Sequence, residues 1–261
     1  MAETRPTLPQ RVTAILRARQ YVVFFAIALY ALDVAVPLAS AWLYRRGDLS
    51  ELLEGTRGPL ADAVAARSAL IAAVLIGYLL LKAYLRAGYV RSLTGPFHLG
   101  AAGLRQWARM LGLGVILEVI AAAAAGALVL AGDRTELGGL AVIALLAIYL
   151  ALMYADYIVV LADVGPIRAI ILSWRTVRSA LLLSLLVLMT VSLAGDILSL
   201  LLTGGAVTSV ARAAPMFLVQ AAMMGAVLFV ADVVLIVIYM RAVERGRVTP
   251  ARQQASSSSQ E

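Results

Sequence analysis

The stretch YADYIVVLADVGPIRAIILSWRTVRS, Tyr154 to Ser179, decides how this chain is read. It starts as the polar-flecked end of an apolar run, breaks at Asp163-Val164-Gly165-Pro166, and resumes as a segment carrying Trp174, Arg168, Arg175 and Arg178. Another long apolar run follows. Past the break, Ile167, Ile170, Ile171 and Trp174 recur at i, i+3, i+4 and i+7, the spacing of one helix face. Pro166 falls in the first turn, where its missing N–H costs little. Asp163 stands where a carboxylate can accept backbone N–H groups at the positive end of the helix dipole. The arginines can lay their stems on apolar surface and keep their heads in water. The pattern predicts a helix lying in a membrane interface and then turning into the bilayer. We read it as the cytoplasmic joint of a membrane protein, marked by Asp163, Gly165, Pro166, Arg168, Ser173, Trp174 and Arg175.

Composition agrees. Of 261 residues, 62% are hydrophobic and only 14% charged, and the mean hydropathy is +0.93. A soluble domain is about half apolar. The chain has no Cys, which excludes disulfides, thiol catalysis and Cys-based metal sites. Its net charge of +7 is not read as a nucleic-acid footprint, because the arginines gather at the ends of apolar runs, where they meet anionic lipid headgroups.

Working outward from the joint, the apolar runs predict six spans: Tyr21–Tyr44, Val64–Ala87, Met110–Ala131, Leu137–Leu161, Ala180–Leu202 and Met216–Met240. Each is long enough to cross a core of about 30 Å. The first follows basic residues and contains a signal-peptide-like Pro37-Leu-Ala-Ser-Ala41, but it is long and holds Asp33, so it is expected to be retained as a span. Ser92–Pro96 should end the second helix, and Leu99–Met110, with Leu104, Trp107 and Leu111 on one face, should lie on the membrane surface. Val12, Ile15 and Leu16 fall on one face, so residues 1–19 read either as a short interfacial helix or as a solvated tail. Two small-xxx-small pairs, Ala122/Gly126 and Ala221/Gly225, suit close helix packing. The expected fold is all-α, a polytopic transmembrane helical bundle of six spans with interfacial amphipathic helices. It divides into a cytoplasmic N-terminal segment (1–19), the six-helix domain (20–242) and a disordered cytoplasmic tail (243–261).

With the N-terminus inside, sixteen Lys and Arg fall on the inner side and six on the outer. That bias predicts a multi-pass protein of a bacterial plasma (inner) membrane with both termini cytoplasmic.

The run Tyr157-Ile-Val-Val-Leu-Ala-Asp163-Val-Gly-Pro166, followed by Ala169 and Ser173, resembles the signature of a broad bacterial group of six-helix integral membrane proteins. The group includes the membrane domain fused to some glycerophosphodiester phosphodiesterases. Gly88-Tyr-Val-Arg91 also fits it, whereas Ala162 stands where the group carries a second carboxylate. The resemblance implies an architecture and a membrane location. It implies no phosphodiesterase activity, which belongs to a separate catalytic segment.

Charges within the spans are the remaining signal. Five of the six spans hold an acid, Asp33, Glu118, Asp156, Asp196 or Asp232, and the other holds Lys82. Each isolated charge at mid-membrane costs about 2.5–3.5 kcal/mol on insertion scales. Such groups must pair, face water or be neutral. Lys82, Glu118, Asp156 and Asp232 fall at similar depth in the inner third, with Tyr157 as a partner. They form a candidate polar cavity or ion- or headgroup-binding layer, or else pair structurally, as Lys82 with Glu118. No catalytic set, metal site or cofactor motif is recognised. His98 reads as interfacial, and Ser68 and Lys82 lie too far apart for a dyad. The function expected is a non-enzymatic membrane scaffold or accessory protein, acting through membrane lipids, other membrane proteins or its own copies. The alternative is a small transporter or lipid-handling protein using the inner polar cluster.

Overall fold

The computed structural model describes residues 6–45, 59–96, 99–131, 135–203 and 210–246. Among them every regular element is a helix: α1 (Leu8–Ala18), a 3-10 turn (Gln20–Val22), α2 (Val23–Arg45), α3 (Pro59–Thr94), α4 (Leu99–Ala131), α5 (Thr135–Leu152), α6 (Ala155–Leu161), α7 (Pro166–Ser179), α8 (Leu181–Thr203) and α9 (Val210–Glu244). Long apolar runs favour this result, because a helix satisfies its backbone groups within its own segment. Five helices are long and apolar enough to cross a membrane, and a sixth candidate is Leu8–Ala18 with Gln20–Val36, bent by 71°. His98 and the tail from position 247 onward lie outside the described residues.

The bundle is built around α2, α3 and α9. Helix α2 lies between α3 and α9, α3 packs along α4, and α8 flanks α9. Helix α1 closes onto the end of α9 through an Arg11–Glu244 ion pair of 2.5 Å and an Arg241 Nη2 bond of 3.0 Å to the Pro6 carbonyl. Its start is fixed by a capping box, in which the Thr7 N–H donates to Gln10 Oε1 at 2.8 Å. Val12, Ile15 and Leu16 pack on the core, the face expected from their spacing.

The two small-residue pairs part company. Ala221 is buried, and a Cβ added at Gly225 would stand 2.5 Å from Ile27 Cα, so α9 and α2 touch backbone to side-chain hydrogen there. Ala122 and Gly126 are exposed, and nothing lies within 4 Å of a Cβ at Gly126. Among the described residues that pair mediates no packing.

Two boundaries differ from expectation. The surface segment predicted over Leu99–Met110 is the continuous beginning of α4. It is tied down from within the bundle: Trp107 Nε1 donates to the Leu80 carbonyl at 3.0 Å, and Gln106 and Arg109 reach across to the joint. The predicted span Leu137–Leu161 is divided at Met153–Tyr154 into α5 and α6. The sequence there has no Pro or Gly. The break is held by tertiary contacts: Tyr154 donates its N–H to Ser173 Oγ at 3.1 Å, and its hydroxyl pairs with Ser184 Oγ at 2.8 Å. Ser173 thus takes up a donor that the interrupted helix leaves over. Ser173→Ala should leave that buried N–H unmet and cost about 1–3 kcal/mol. Thermal unfolding in mild detergent measures it, and a melting curve identical to the parent's would show that the break is held otherwise.

The joint keeps Pro166 at the start of α7, but Asp163 is not its cap. Gly165 occupies that position, without a side-chain cap. Asp163 adopts a φ of 56°, in the left-handed region that Asp tolerates better than most residues. This turns its carboxylate toward α4, where it accepts from Gln106 Nε2 at 2.6 Å and from Arg109 Nη1, which also bonds the Asp163 carbonyl at 2.9 Å. A carboxylate with two strong partners on α4 is better satisfied there than at the helix start. Helix α7 then buries Ala169, Leu172, Ser173, Thr176 and Val177 against the bundle. Its Ile167, Ile171 and Trp174 are exposed, with the Arg178 guanidinium 5.1 Å from the Trp174 ring centre. Arg168 and Arg175 are exposed beside them.

Candidate functional site: a buried polar layer

The layer starts on α3. Tyr78, Lys82 and Arg86 follow one another at four-residue spacing and therefore share a face. Three other elements bring acids to that face: α2 carries Asp33, the first turn of α6 carries Asp156 and Tyr157, and α9 carries Asp232. The short α6 makes this possible. Five of its seven residues are buried, and it fills the space between α3, α4 and α7.

Arg86 is the hub. Its Nε donates to Asp156 Oδ2 at 2.7 Å, its Nη1 to Asp232 Oδ2 at 2.8 Å, and its Nη2 to Asp232 Oδ1 and the Tyr157 hydroxyl at 3.2 Å each. The fork-to-fork pairing with Asp232 is the geometry that a guanidinium offers and an ammonium does not. The Tyr157 hydroxyl also donates to Asp232 Oδ1. Two rings flank the cation, with Tyr89 and Tyr157 centred 5.2 and 5.4 Å from Arg86 Cζ. Asp232 is buried, so its partners replace the water it has lost.

A smaller group lies one turn away. Lys82 Nζ stands 3.1 Å from Asp33 Oδ1 and donates to the Tyr78 hydroxyl at 2.9 Å, while that hydroxyl donates to Asp33 Oδ1 at 2.7 Å. This pair is more open than the Arg86 cluster, its side chains being 34% and 40% exposed. Together the two groups tie α3 to α2, α6 and α9.

Of the residues expected to form one site, Asp156, Asp232 and Tyr157 do meet. Lys82 belongs to the neighbouring pair with Asp33. Glu118 does not belong at all. It is exposed and makes no hydrogen bond or ion pair among the described residues. Helix α4 turns Gln106, Met110 and Leu113 inward. Glu118 is eight residues beyond Met110, which rotates it about 80° off that face at 100° per residue. Lys82 and Glu118 are therefore not partners. Arg86 is the residue missed: it stands near the end of an apolar run, a position that reads as one more headgroup-facing arginine. The Tyr78–Lys82–Arg86 stripe was the available signal, since residues stacked at i+4 share one environment.

The layer is a cross-link between helices, with carboxylates on a guanidinium and an ammonium. Among the described residues, no three or more acids or histidines are placed to hold a metal ion. Comparison of the chain with family models, with curated proteins and with solved structures found no match.

Proposed function

We propose that this chain is a non-enzymatic integral membrane scaffold or accessory protein that acts through lipid or protein partners. In this reading it crosses a bacterial inner membrane six times, through α2, α3, α4, α5 with α6, α8 and α9. Helices α1 and α7 lie in the cytoplasmic interface, and both termini are cytoplasmic. The sixteen-to-six bias of basic residues supports the orientation. The likeness of Tyr157–Ser173 to the six-helix bacterial group supports the layout.

The observation that carries the reading is the way the intramembrane charges meet one another. Arg86 directs its donors to Asp156, Asp232 and Tyr157, and Lys82 directs its own to Asp33 and Tyr78. Groups engaged in this way hold helices in register. The outward surfaces are then where partners act, and α7 offers Ile167, Ile171 and Trp174 among arginines. Affinity purification of the tagged chain in mild detergent should yield a defined set of lipids or proteins in fixed proportion. A chain recovered without any, yet carrying solute across proteoliposomes, would overturn the proposal.

That second outcome belongs to the alternative, a small transporter or lipid-handling protein. One observation favours it. Asp33, Asp156 and Asp232 outnumber Lys82 and Arg86 by one, and among the described residues the buried Tyr89 hydroxyl beside Arg86 has no hydrogen-bond partner. Proton or cation flux abolished by Asp232→Asn would support that reading.

A further inference from the structure

The end of the bundle that carries α1 and α7 contains a small, open cleft of about 130 Å³. Its walls come from three places: Leu8 at the start of α1, Ser179 and Leu183 at the junction of α7 and α8, and Ile238, Arg241 and Arg245 along α9. Ile238 and Arg241 fall at i and i+3 on α9, and Arg245, in the turn that follows, continues the same face with its N–H on the Arg241 carbonyl at 3.1 Å, so this end supplies an apolar floor and two cations.

Among the described residues the charges in this cleft are unbalanced, since no acid lines it. The acid next in sequence, Glu244, is held by Arg11 at 2.5 Å. Arg241 gives one N–H to the Pro6 carbonyl at 3.0 Å, which fixes the side chain and leaves other donors over. The Arg245 side chain is exposed and makes no hydrogen bond or ion pair among the described residues. The leading N–H groups of α8 start at the same place and add the positive end of a 23-residue helix. The outer wall continues as apolar surface, since Leu183, Leu186, Met189 and Leu193 of α8 are all exposed.

We propose that this cleft binds an anionic glycerophospholipid, with its phosphate between Arg241 and Arg245 and an acyl chain along the exposed face of α8. Two guanidiniums match phosphate oxygens in charge and in planar donor geometry. A soluble phosphate compound would have no use for the apolar track that leaves the cleft. The proposal rests on the reading of the chain as a membrane protein that acts through lipid or protein partners, and it makes one of those partners specific.

The test is native mass spectrometry of the full chain in mild detergent, titrated with phosphatidylglycerol or phosphatidylcholine. Phosphatidylglycerol should bind preferentially. Arg245→Gln, which breaks no side-chain bond among the described residues, should weaken that binding about fivefold, and Arg241→Gln with Arg245→Gln about thirtyfold, from roughly 1 kcal/mol per basic residue at a membrane surface. Arg91→Gln, an exposed arginine at the end of α3 that does not line the cleft, should leave it unchanged. Equal binding of the two lipids, or an equal loss in Arg91→Gln, would overturn the site. Displacement of phosphatidylglycerol by millimolar inorganic phosphate would assign the cleft to a soluble anion and overturn the lipid. A chain extracted from membranes by alkaline carbonate would overturn the membrane reading itself, whereas a wrong site would leave the chain inserted and indifferent to both arginines.

Discussion

Replacing Arg86 with glutamine is expected to cost about 3–5 kcal/mol, the typical loss when one partner of a buried ion pair is removed. Asp156 and Asp232 would then face each other across the gap left by the guanidinium, with only Tyr157 between them. Two unpaired carboxylates in a medium of low dielectric are what the insertion cost of acids penalises. The protein should accumulate poorly in membranes, and what remains should melt well below the parent in mild detergent. Two further variants separate charge from geometry. Arg86→Lys keeps the charge but not the fork that bonds both oxygens of Asp232, so its loss should be intermediate. Asp156→Asn with Asp232→Asn in the Arg86→Gln background removes all three charges together and should recover part of the loss. An Arg86→Gln protein that accumulates and melts like the parent would remove the role of the layer as a helix lock.

The second large effect is expected at Gly225. A methyl group there would lie 2.5 Å from Ile27 Cα and 2.8 Å from Ile27 N. These are backbone atoms, so no rotamer change relieves the contact, and α2 and α9 must separate along their length. Overpacking of this kind costs about 1–3 kcal/mol, and Gly225→Ala should lower the melting temperature in detergent accordingly. Gly126→Ala is the matched control. Among the described residues its Cβ meets nothing within 4 Å, and alanine favours helix over glycine by about 1 kcal/mol, so this change should be neutral or stabilising. If both variants behave alike, helix propensity governs both sites and the close contact is not what places Gly225.

The two glycines show where sequence reasoning stops. Both sit in small-xxx-small pairs on apolar helices, and a periodic pattern treats them alike. Which one faces a neighbour depends on how each helix is rotated in the bundle, and that rotation is set by all its contacts at once. Glu118 is a case of the same kind. Its depth in the chain matched Asp156 and Asp232, but depth is one coordinate, and the turn of α4 puts it on the outside. Asp163 is another. A carboxylate before Pro166 is a natural cap for the following helix, yet Gln106 and Arg109 stand 57 and 54 residues away in sequence and claim it.

The sequence by itself determined the class of the fold. Long apolar runs satisfy their backbone groups within their own segments as helices, so the all-helical class could be read directly, along with the break before Pro166. The sequence also named most of the intramembrane charges, because any such group is costly and stands out. Only the tertiary structure decided which charges meet. Arg86 became the centre because α6, held at its start by Ser173, brings Asp156 and Tyr157 to α3 just where α9 brings Asp232. Pairing across a membrane bundle depends on helix rotation and register, and these follow from packing between segments far apart in the chain, which no local pattern records.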